Sequence, residues 1–361
     1  MASSIILSPG AFRLLLALAV VIAHITALDI GHLAVLLFFY LSGYWVTRIW
    51  TEKFGEGRRG MFYASRYLRI FPLFLLATLI SAWARETPLG LTNFTLFGLS
   101  ITGHDPTLVS WSLDLEAQFY LLLPFVAVFF VTAPRQTLAV GLALTVAGFA
   151  MHERYGFGLA KFCLPFILGG LTYGQKWRPS ERAALISLAG FVAFTALTAF
   201  TPFLLKTTPD PFSRDVWAIL WLLPLLPYVA NSLTIRSGAF DRDLGNLSFP
   251  VYLFHQVVIF GVVHSVAAGS RLEKPLIIGG TLALAAIIYR VFDRPIDAWR
   301  VRVTERRVTQ APPSSDRLDL LHTGTRTPSP VATVSASGEL PRRSPRRMPS
   351  KARKTRSVET R

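Results

Sequence analysis

The sequence predicts an all-α, polytopic membrane protein, a helical bundle of about ten transmembrane helices. Of its 361 residues, 52% are hydrophobic and only 16% are charged, which is too little charge to cover the surface of a soluble domain. The apolar residues form continuous runs rather than ten-residue stretches of alternating polarity. Continuous runs indicate helices, because only helices and closed barrels satisfy every backbone polar group in lipid.

Ten apolar runs approach the length of about 20 residues, with about 17 as the lower range, that a spanning helix needs. In chain order they are 11–28, 33–50, 70–84, 112–131, 137–151, 157–174, 183–201, 215–233, 247–268 and 275–292. The third, fifth and sixth are short or interrupted. The first lacks a basic segment before it and is followed by nine more, so we expect it to remain as a helix rather than be removed as a signal peptide.

Lysine and arginine set the expected orientation. The loop after the second run and the loop after the sixth are basic, whereas the loops on the other side carry few cations. From Arg294 to the end there are 16 Lys and Arg against 6 Asp and Glu, which is +10 of the chain's +16. The positive-inside rule then places both termini in the cytoplasm. This excess is a topology signal, and we expect no nucleic-acid partner.

The distribution of residue types predicts two parts, an integral-membrane domain over residues 1–300 and a disordered basic tail over 301–361. From residue 306 onward the chain is rich in Pro, Ser, Thr and Arg and has few large apolar residues. Two interpretations of the tail stay open. It binds anionic headgroups among the membrane lipids, or it is a solvated segment that only obeys the charge rule.

The first run carries Arg13 and His24, eleven residues apart. At about 100° per residue the two lie on one face of a helix, roughly 16 Å apart along its axis. Arg13 is expected at the cytoplasmic boundary and His24 in the outer half of the membrane. Ionisable groups at depth are costly and tend to face a bundle interior or a wet cavity. His24 is therefore a candidate for chemistry, with a neutral structural histidine as the alternative.

Further motifs occur in a fixed order: "FFYLSGYW" at 38–45, "YASRYLRIFPLF" at 63–74, "SWSLDLEAQFYLLLP" at 110–124, "SFPVYLFHQ" at 248–256 and "RVFDRP" at 290–295. Together with the Arg-x10-His spacing, they make the sequence resemble acyltransferase family 3 over about residues 12–300. The resemblance implies an O-acyltransferase of the bacterial inner (cytoplasmic) membrane. Such an enzyme moves an acyl group, often acetyl, from cytoplasmic acyl-CoA to a hydroxyl of a glycan, a lipid-linked precursor or a natural product.

The family motifs match individual residues here. They imply roles for Arg13 and His24, for the Arg-x-x-Arg pair Arg66 and Arg69, and for Trp111, Glu116 and Tyr120. Asp293 stands where the family more often has Glu. We expect acyl-CoA as donor substrate, a glycan or lipid-linked sugar as acceptor, and neither a bound cofactor nor a metal.

The chemistry of the residue types agrees with these roles. O-acylation needs a hydroxyl to lose its proton as it attacks a thioester, which suits His24 as a general base or as a covalent acyl relay. His255, expected about eight residues from the cytoplasmic end of the ninth span, is the runner-up, with a structural hydrogen-bonding role as the alternative. Arg66 and Arg69 suit CoA phosphates, with topology anchors as the alternative, and Pro72 is expected to start a helix just after them.

Glu116, at the outer end of the fourth span, is expected to hold an acceptor hydroxyl or to orient His24. Trp111 and Tyr120 are expected to stack on a sugar ring, or to belong to an interfacial aromatic belt. A transporter or flippase of glycan precursors is the alternative from another class of protein. It should show an internal repeat with broken helices in both halves, and none is visible.

Overall fold

The computed structural model describes residues 5–155, 158–199, 214–265 and 267–305. Within these ranges the chain forms helices and no β-strand, which confirms the all-α prediction. The helices of seven or more residues are α1 (Pro9–Ile25), α2 (Gly31–Ile49), α3 (Arg59–Arg85), α4 (Trp111–Val126), α5 (Pro134–Tyr155), α6 (Gly158–Gly174), α7 (Glu181–Thr198), α8 (Arg214–Leu222), α9 (Leu226–Ser232), α10 (Ala239–Val263), α11 (Glu273–Ile288) and α12 (Arg294–Arg300). The expected disorder of the tail from 306 onward lies outside the described residues.

Several helices are long and apolar enough to cross a membrane. Among the described residues these are the five stretches Gly31–Phe54, Glu56–Arg85, Glu181–Thr198, Ala239–Val263 and Glu273–Thr304. Two shorter helices, α1 and α6, are also apolar. Every predicted run overlaps a helix, so the chain is a multi-pass helical membrane protein. The count of ten spans and the cytoplasmic location of both termini stay predictions.

The centre of the bundle depends on a close approach of α2 and α6. A Cβ atom added to Gly43 would lie 2.1 Å from the carbonyl oxygen of Phe166, and one added to Gly169 would lie 2.0 Å from the carbonyl oxygen of Tyr40. Membrane helices associate by van der Waals packing, and small residues let two backbones meet. Gly43 and Gly169 therefore fix the distance between the two helices.

We expect Gly43→Val and Gly169→Val each to destabilise the protein by about 3 kcal/mol or more, because overpacking a tight contact forces backbones apart. Gly190→Val in α7 is the matched control, since an added Cβ there meets no atom within 4 Å. Thermal unfolding of the detergent-solubilised protein measures the effect. If all three variants unfold at the same temperature, the close approach does not contribute to stability.

Two predicted helix boundaries are wrong, and proline accounts for both. The run 70–84 belongs to α3, which begins at Arg59 and passes through Pro72 without starting there. Membrane helices tolerate internal proline, because neighbouring groups satisfy the freed carbonyl. The predicted single span 215–233 is instead α8, a 3-10 turn at Leu223–Leu225, and α9, with a proline at the start of each of the last two elements.

The end of the bundle also differs from the prediction. After α11 the chain forms a π-helical turn, Tyr289–Asp293, continues as α12, and ends in a second π-helical turn, Val301–Glu305. Arg300 in this region is only 6% exposed, and its Nη1 donates to the Ser65 hydroxyl at 2.7 Å. The helical structure therefore extends five residues past the predicted domain boundary at 300, because contacts with α3 hold it.

Candidate active site

One cavity has a volume of about 430 Å³ and lies between α1, α2, α3, α4, α10 and α12. We call it the arginine cavity. Its charged lining residues are Arg13, Lys53, Arg66, Arg69, Glu116, Asp297 and Arg300. Five cations against two carboxylates give the cavity a positive potential, which attracts anions. The structure thus brings together the three arginines that the sequence assigned to acyl-CoA. Sequence reasoning missed Lys53 and Arg300, whose only signal was their basic charge near helix ends.

The Arg-x-x-Arg pair is placed by one turn of α3. Arg66 is 7% exposed, and its Nη2 lies 3.3 Å from the Ser65 hydroxyl. Arg69 donates from Nη1 to the Asp293 carboxylate at 2.8 Å, and its Nε lies 3.8 Å from Asp297. Because Asp293 is 4% exposed and ion-paired, it holds Arg69 at the cavity wall. The two arginines therefore differ, because Arg69 is ion-paired with a buried carboxylate and Arg66 donates to a serine hydroxyl.

Glu116 and Tyr120 line the arginine cavity on α4. The sequence predicted Glu116 at the outer end of its span, on the side opposite the arginines, and this is wrong because Glu116 shares their cavity. Tyr120 follows Trp111 by nine residues, about 13 Å along the helix, so α4 carries it toward the arginines. The Ser42 hydroxyl donates to Glu116 Oε1 at 2.6 Å, and the Tyr120 hydroxyl donates to the same oxygen at 2.5 Å. The carboxylate is thereby fixed between α2 and its own helix.

A smaller cavity, of about 240 Å³, contains His24 and Trp111. We call it the histidine cavity. Its other polar lining residues are Asp29, His32, Arg214 and Tyr252. The His24 side chain is exposed, at the penultimate residue of α1. The structure therefore joins two of the predicted residues here, with His255 next to His24. The other predicted site residues line the arginine cavity or, in the case of Asp293, hold Arg69 at its wall.

Charged groups at the rim of the histidine cavity are paired. His32 Nδ1 lies 2.8 Å from Asp215, which also pairs with Lys161, and Arg214 lies 3.4 Å from Asp29. These pairs connect the starts of α2 and α8 with α6. The sequence offered no signal for this network beyond charges close to helix ends, which are typical of any membrane helix.

Trp111 is positioned by a cap on α4. Asp105 Oδ2 accepts the backbone N–H groups of Ser110 at 2.5 Å and Trp111 at 3.2 Å, while Oδ1 accepts the Thr107 hydroxyl at 2.7 Å. A carboxylate at a helix N-terminus satisfies donors that have no partner within the helix. Burial raises the pKa of Asp105, against the lowering effect of these bonds. The cap fixes where α4 begins and hence where the indole stands.

Two histidines meet beside the histidine cavity. His24 Nδ1 lies 2.8 Å from the Val20 carbonyl oxygen and 3.4 Å from His255 Nε2. His255 Nδ1 lies 2.7 Å from the Tyr252 carbonyl oxygen. Carbonyl oxygens only accept, so both Nδ1 atoms carry the proton in the neutral rings. His24 Nε2 is then the unprotonated nitrogen.

Helix α10 is longer at its start than the predicted ninth span. Helix α10 begins at Ala239, not at 247, so His255 lies sixteen residues into the helix, about 24 Å from its start. It is therefore near the same end of the bundle as His24. His255 is fully buried, at 0% exposure.

Comparison with known proteins places these features in a family. A family model described as "Acyltransferase domain" matches residues 6–290. Nodulation protein 10 from Rhizobium leguminosarum bv. viciae is 25% identical over 321 residues, covering 77% of this chain and 85% of that protein. No solved structure matches.

Proposed function

The chain belongs to acyltransferase family 3, and from this premise we propose that it moves an acyl group, probed first as acetyl, from acyl-CoA to a hydroxyl of a cell-surface glycan or its lipid-linked precursor. The observation that carries the proposal is the placement of two cavities with different chemistry side by side. One is positively charged, and the other holds an exposed histidine. Residues Val35 and Tyr252 line both.

The arginine cavity supports binding of the donor. CoA carries several phosphate charges, and guanidinium groups bind phosphate oxygens through two parallel hydrogen bonds. Arg13 and Arg66 are the arginines we assign to these contacts, with Arg69 held beside them by Asp293. Glu116 and Tyr120 line this cavity as well, so we assign them to shaping the donor site rather than to holding the sugar.

The histidine cavity supports binding of the acceptor. Trp111 offers an aromatic face for a sugar ring, and Asp29 and His32 offer polar atoms for sugar hydroxyls. A few polar groups around an aromatic surface are typical of small-ligand sites.

His24 is the group we assign to proton transfer. The acceptor hydroxyl attacks the thioester carbonyl carbon, forming a C–O bond as the C–S bond breaks. His24 Nε2 takes the hydroxyl proton and passes it to the departing thiolate, which leaves as the CoA thiol. Nε2 suits this role because Nδ1–H is committed to the Val20 carbonyl.

His255 is the positioning residue for His24. Its Nε2 is unprotonated and faces His24 Nδ1 at 3.4 Å, so it can share the Nδ1–H with the Val20 carbonyl and stabilise the imidazolium that His24 becomes. His255 lines neither cavity and is fully buried, which favours His24 over His255 as the group that meets substrate.

We place the enzyme in the bacterial inner membrane with the arginine cavity open to cytoplasmic acyl-CoA. Sealed vesicles test activity and orientation together, because CoA does not cross a bilayer. Inverted and right-side-out vesicles from bacteria that make the chain receive acetyl-CoA labelled in the acetyl group, and label is counted in the vesicles' own glycan fraction. Vesicles without the chain are the control.

We expect label in inverted vesicles and little in right-side-out vesicles, because only inverted vesicles expose the cytoplasmic face to the added donor. Label only in right-side-out vesicles would reverse the orientation while keeping the activity. No transfer in either kind would reject acetyl-CoA as donor or the glycan as acceptor.

A further inference from the structure

The wall between the two cavities contains two side chains that face both. Val35 of α2 and Tyr252 of α10 are the residues common to the two linings in the described part of the chain. Each is 6% exposed. These two side chains therefore belong to the wall that separates the arginine cavity from the cavity of His24.

The Tyr252 ring is held at both its edge and its hydroxyl. The hydroxyl donates to the Val109 carbonyl oxygen at 3.0 Å and lies 2.8 Å from the Ser112 hydroxyl. Ser112 in turn donates to the same Val109 carbonyl at 3.0 Å. The ring packs edge-on against Phe38 with centroids 6.0 Å apart. Because the ring is anchored to the start of α4 and to α2, it has a fixed orientation and limits the space between the two cavities.

We propose that Tyr252 and Val35 make the enzyme selective for short acyl groups, acetyl above butyryl and hexanoyl, by narrowing the passage between the two cavities. This inference rests on the proposed function, in which the acyl end of the donor must reach His24. Each added methylene enlarges the group that has to enter between a fixed aromatic ring and a valine. Protein interiors resist such enlargement because they are close-packed.

A size-limiting role for Tyr252 and a purely structural role predict different effects of its substitution. Loss of a structural residue lowers the rate with every donor by the same factor. Loss of a residue that limits size changes the ratio between donors. The ratio of hexanoyl to acetyl transfer is therefore the decisive quantity, and it is independent of how much folded protein each variant yields.

The experiment uses the full chain in sealed inverted vesicles, with acetyl-CoA, butyryl-CoA and hexanoyl-CoA each labelled in the acyl group and the vesicles' own glycans as acceptor. The variants are Tyr252→Ala and Val35→Ala. Val35→Ala removes only two methyl groups and so keeps the test informative if Tyr252→Ala does not fold. The matched control is Val21→Ala, a buried valine of α1 that lines neither cavity.

We expect Tyr252→Ala and Val35→Ala to raise the hexanoyl-to-acetyl ratio by about tenfold, the lower end of what one methylene is worth in a tight pocket. Butyryl should fall between, and Val21→Ala should leave the ratio unchanged. A ratio that stays the same in Val35→Ala, or a wild-type chain that uses hexanoyl as fast as acetyl, would overturn the inference. A wild-type chain that transfers none of the three donors would instead refute the proposed function.

Discussion

Replacing His24 by alanine should reduce acyl transfer by about 10²- to 10⁴-fold, the range that general acid–base catalysis contributes, while the protein stays in the membrane. The reason is specific to its geometry. His24 is exposed to the histidine cavity, its Nδ1–H is committed to the Val20 carbonyl, and Nε2 is left to take a proton. The measurement is acylated product per amount of protein in the membrane fraction.

The chain provides a matched control for this substitution. His264 is exposed, and its Nδ1 lies 2.8 Å from the Phe260 carbonyl four residues earlier, the same local bond at the same distance that His24 makes to Val20. His264 lines neither cavity. His264→Ala should therefore retain activity. Near-normal product from a well-inserted His24→Ala variant would contradict the assignment.

The wild type and the His24→Ala variant together distinguish a general base from a covalent acyl relay. With labelled acetyl-CoA and no acceptor, a relay would leave label on the protein, and His24→Ala would abolish that label. A general base would leave the protein unlabelled while product still depends on His24. Either outcome keeps His24 at the reaction centre and decides how it acts.

Sequence patterns predicted the helices because these depend on local features. Runs of apolar residues indicate spans directly, and the spacing of Arg13 and His24 is a property of one helix. The grouping of residues from distant segments was not predictable in this way. Arg69 and Asp293 meet across 224 positions, and Val35 and Tyr252 share a wall only because α2 and α10 both border the cavities.

Errors of depth have a related cause. Glu116 and Tyr120 were assigned to the outer side because their motif opens a predicted span, but nine residues of helix carry Tyr120 toward the arginines. The distance of His255 from the start of its helix was underestimated, because the polar first turns of α10 precede the apolar run that begins at 247. Hydropathy locates the apolar middle of a helix better than its ends, and the depth of a site residue depends on the ends.

The two arginines of the Arg-x-x-Arg motif should respond differently to substitution, although they are three residues apart. Arg66→Ala should raise the KM for acetyl-CoA by about 10- to 100-fold, since a hydrogen bond to a charged group is worth about 1.5–3 kcal/mol. Membrane level should change little. Arg66→Lys should recover only part of the loss, because an ammonium cannot bind two phosphate oxygens in parallel.

Arg48→Ala is the control for the loss of one positive charge outside the arginine cavity. Arg48 is partly exposed, pairs at 3.0 Å with Glu52 four residues later, and does not line the arginine cavity. Its KM should stay near that of the wild type. Full recovery in Arg66→Lys would show that charge alone suffices, and an unchanged KM in Arg66→Ala would remove Arg66 from the donor site.

Arg69→Ala should act first on stability. It leaves Asp293 buried without the cation that lies 2.8 Å away, and breaking a buried pair in this way costs about 3–5 kcal/mol. Adding Asp293→Asn removes the stranded charge, so the double variant should regain membrane level and thermal stability relative to Arg69→Ala. Any KM defect that persists in the stable double variant then measures what Arg69 contributes to donor binding. A double variant that is no more stable than Arg69→Ala would mean that the buried carboxylate of Asp293 is not the source of the instability.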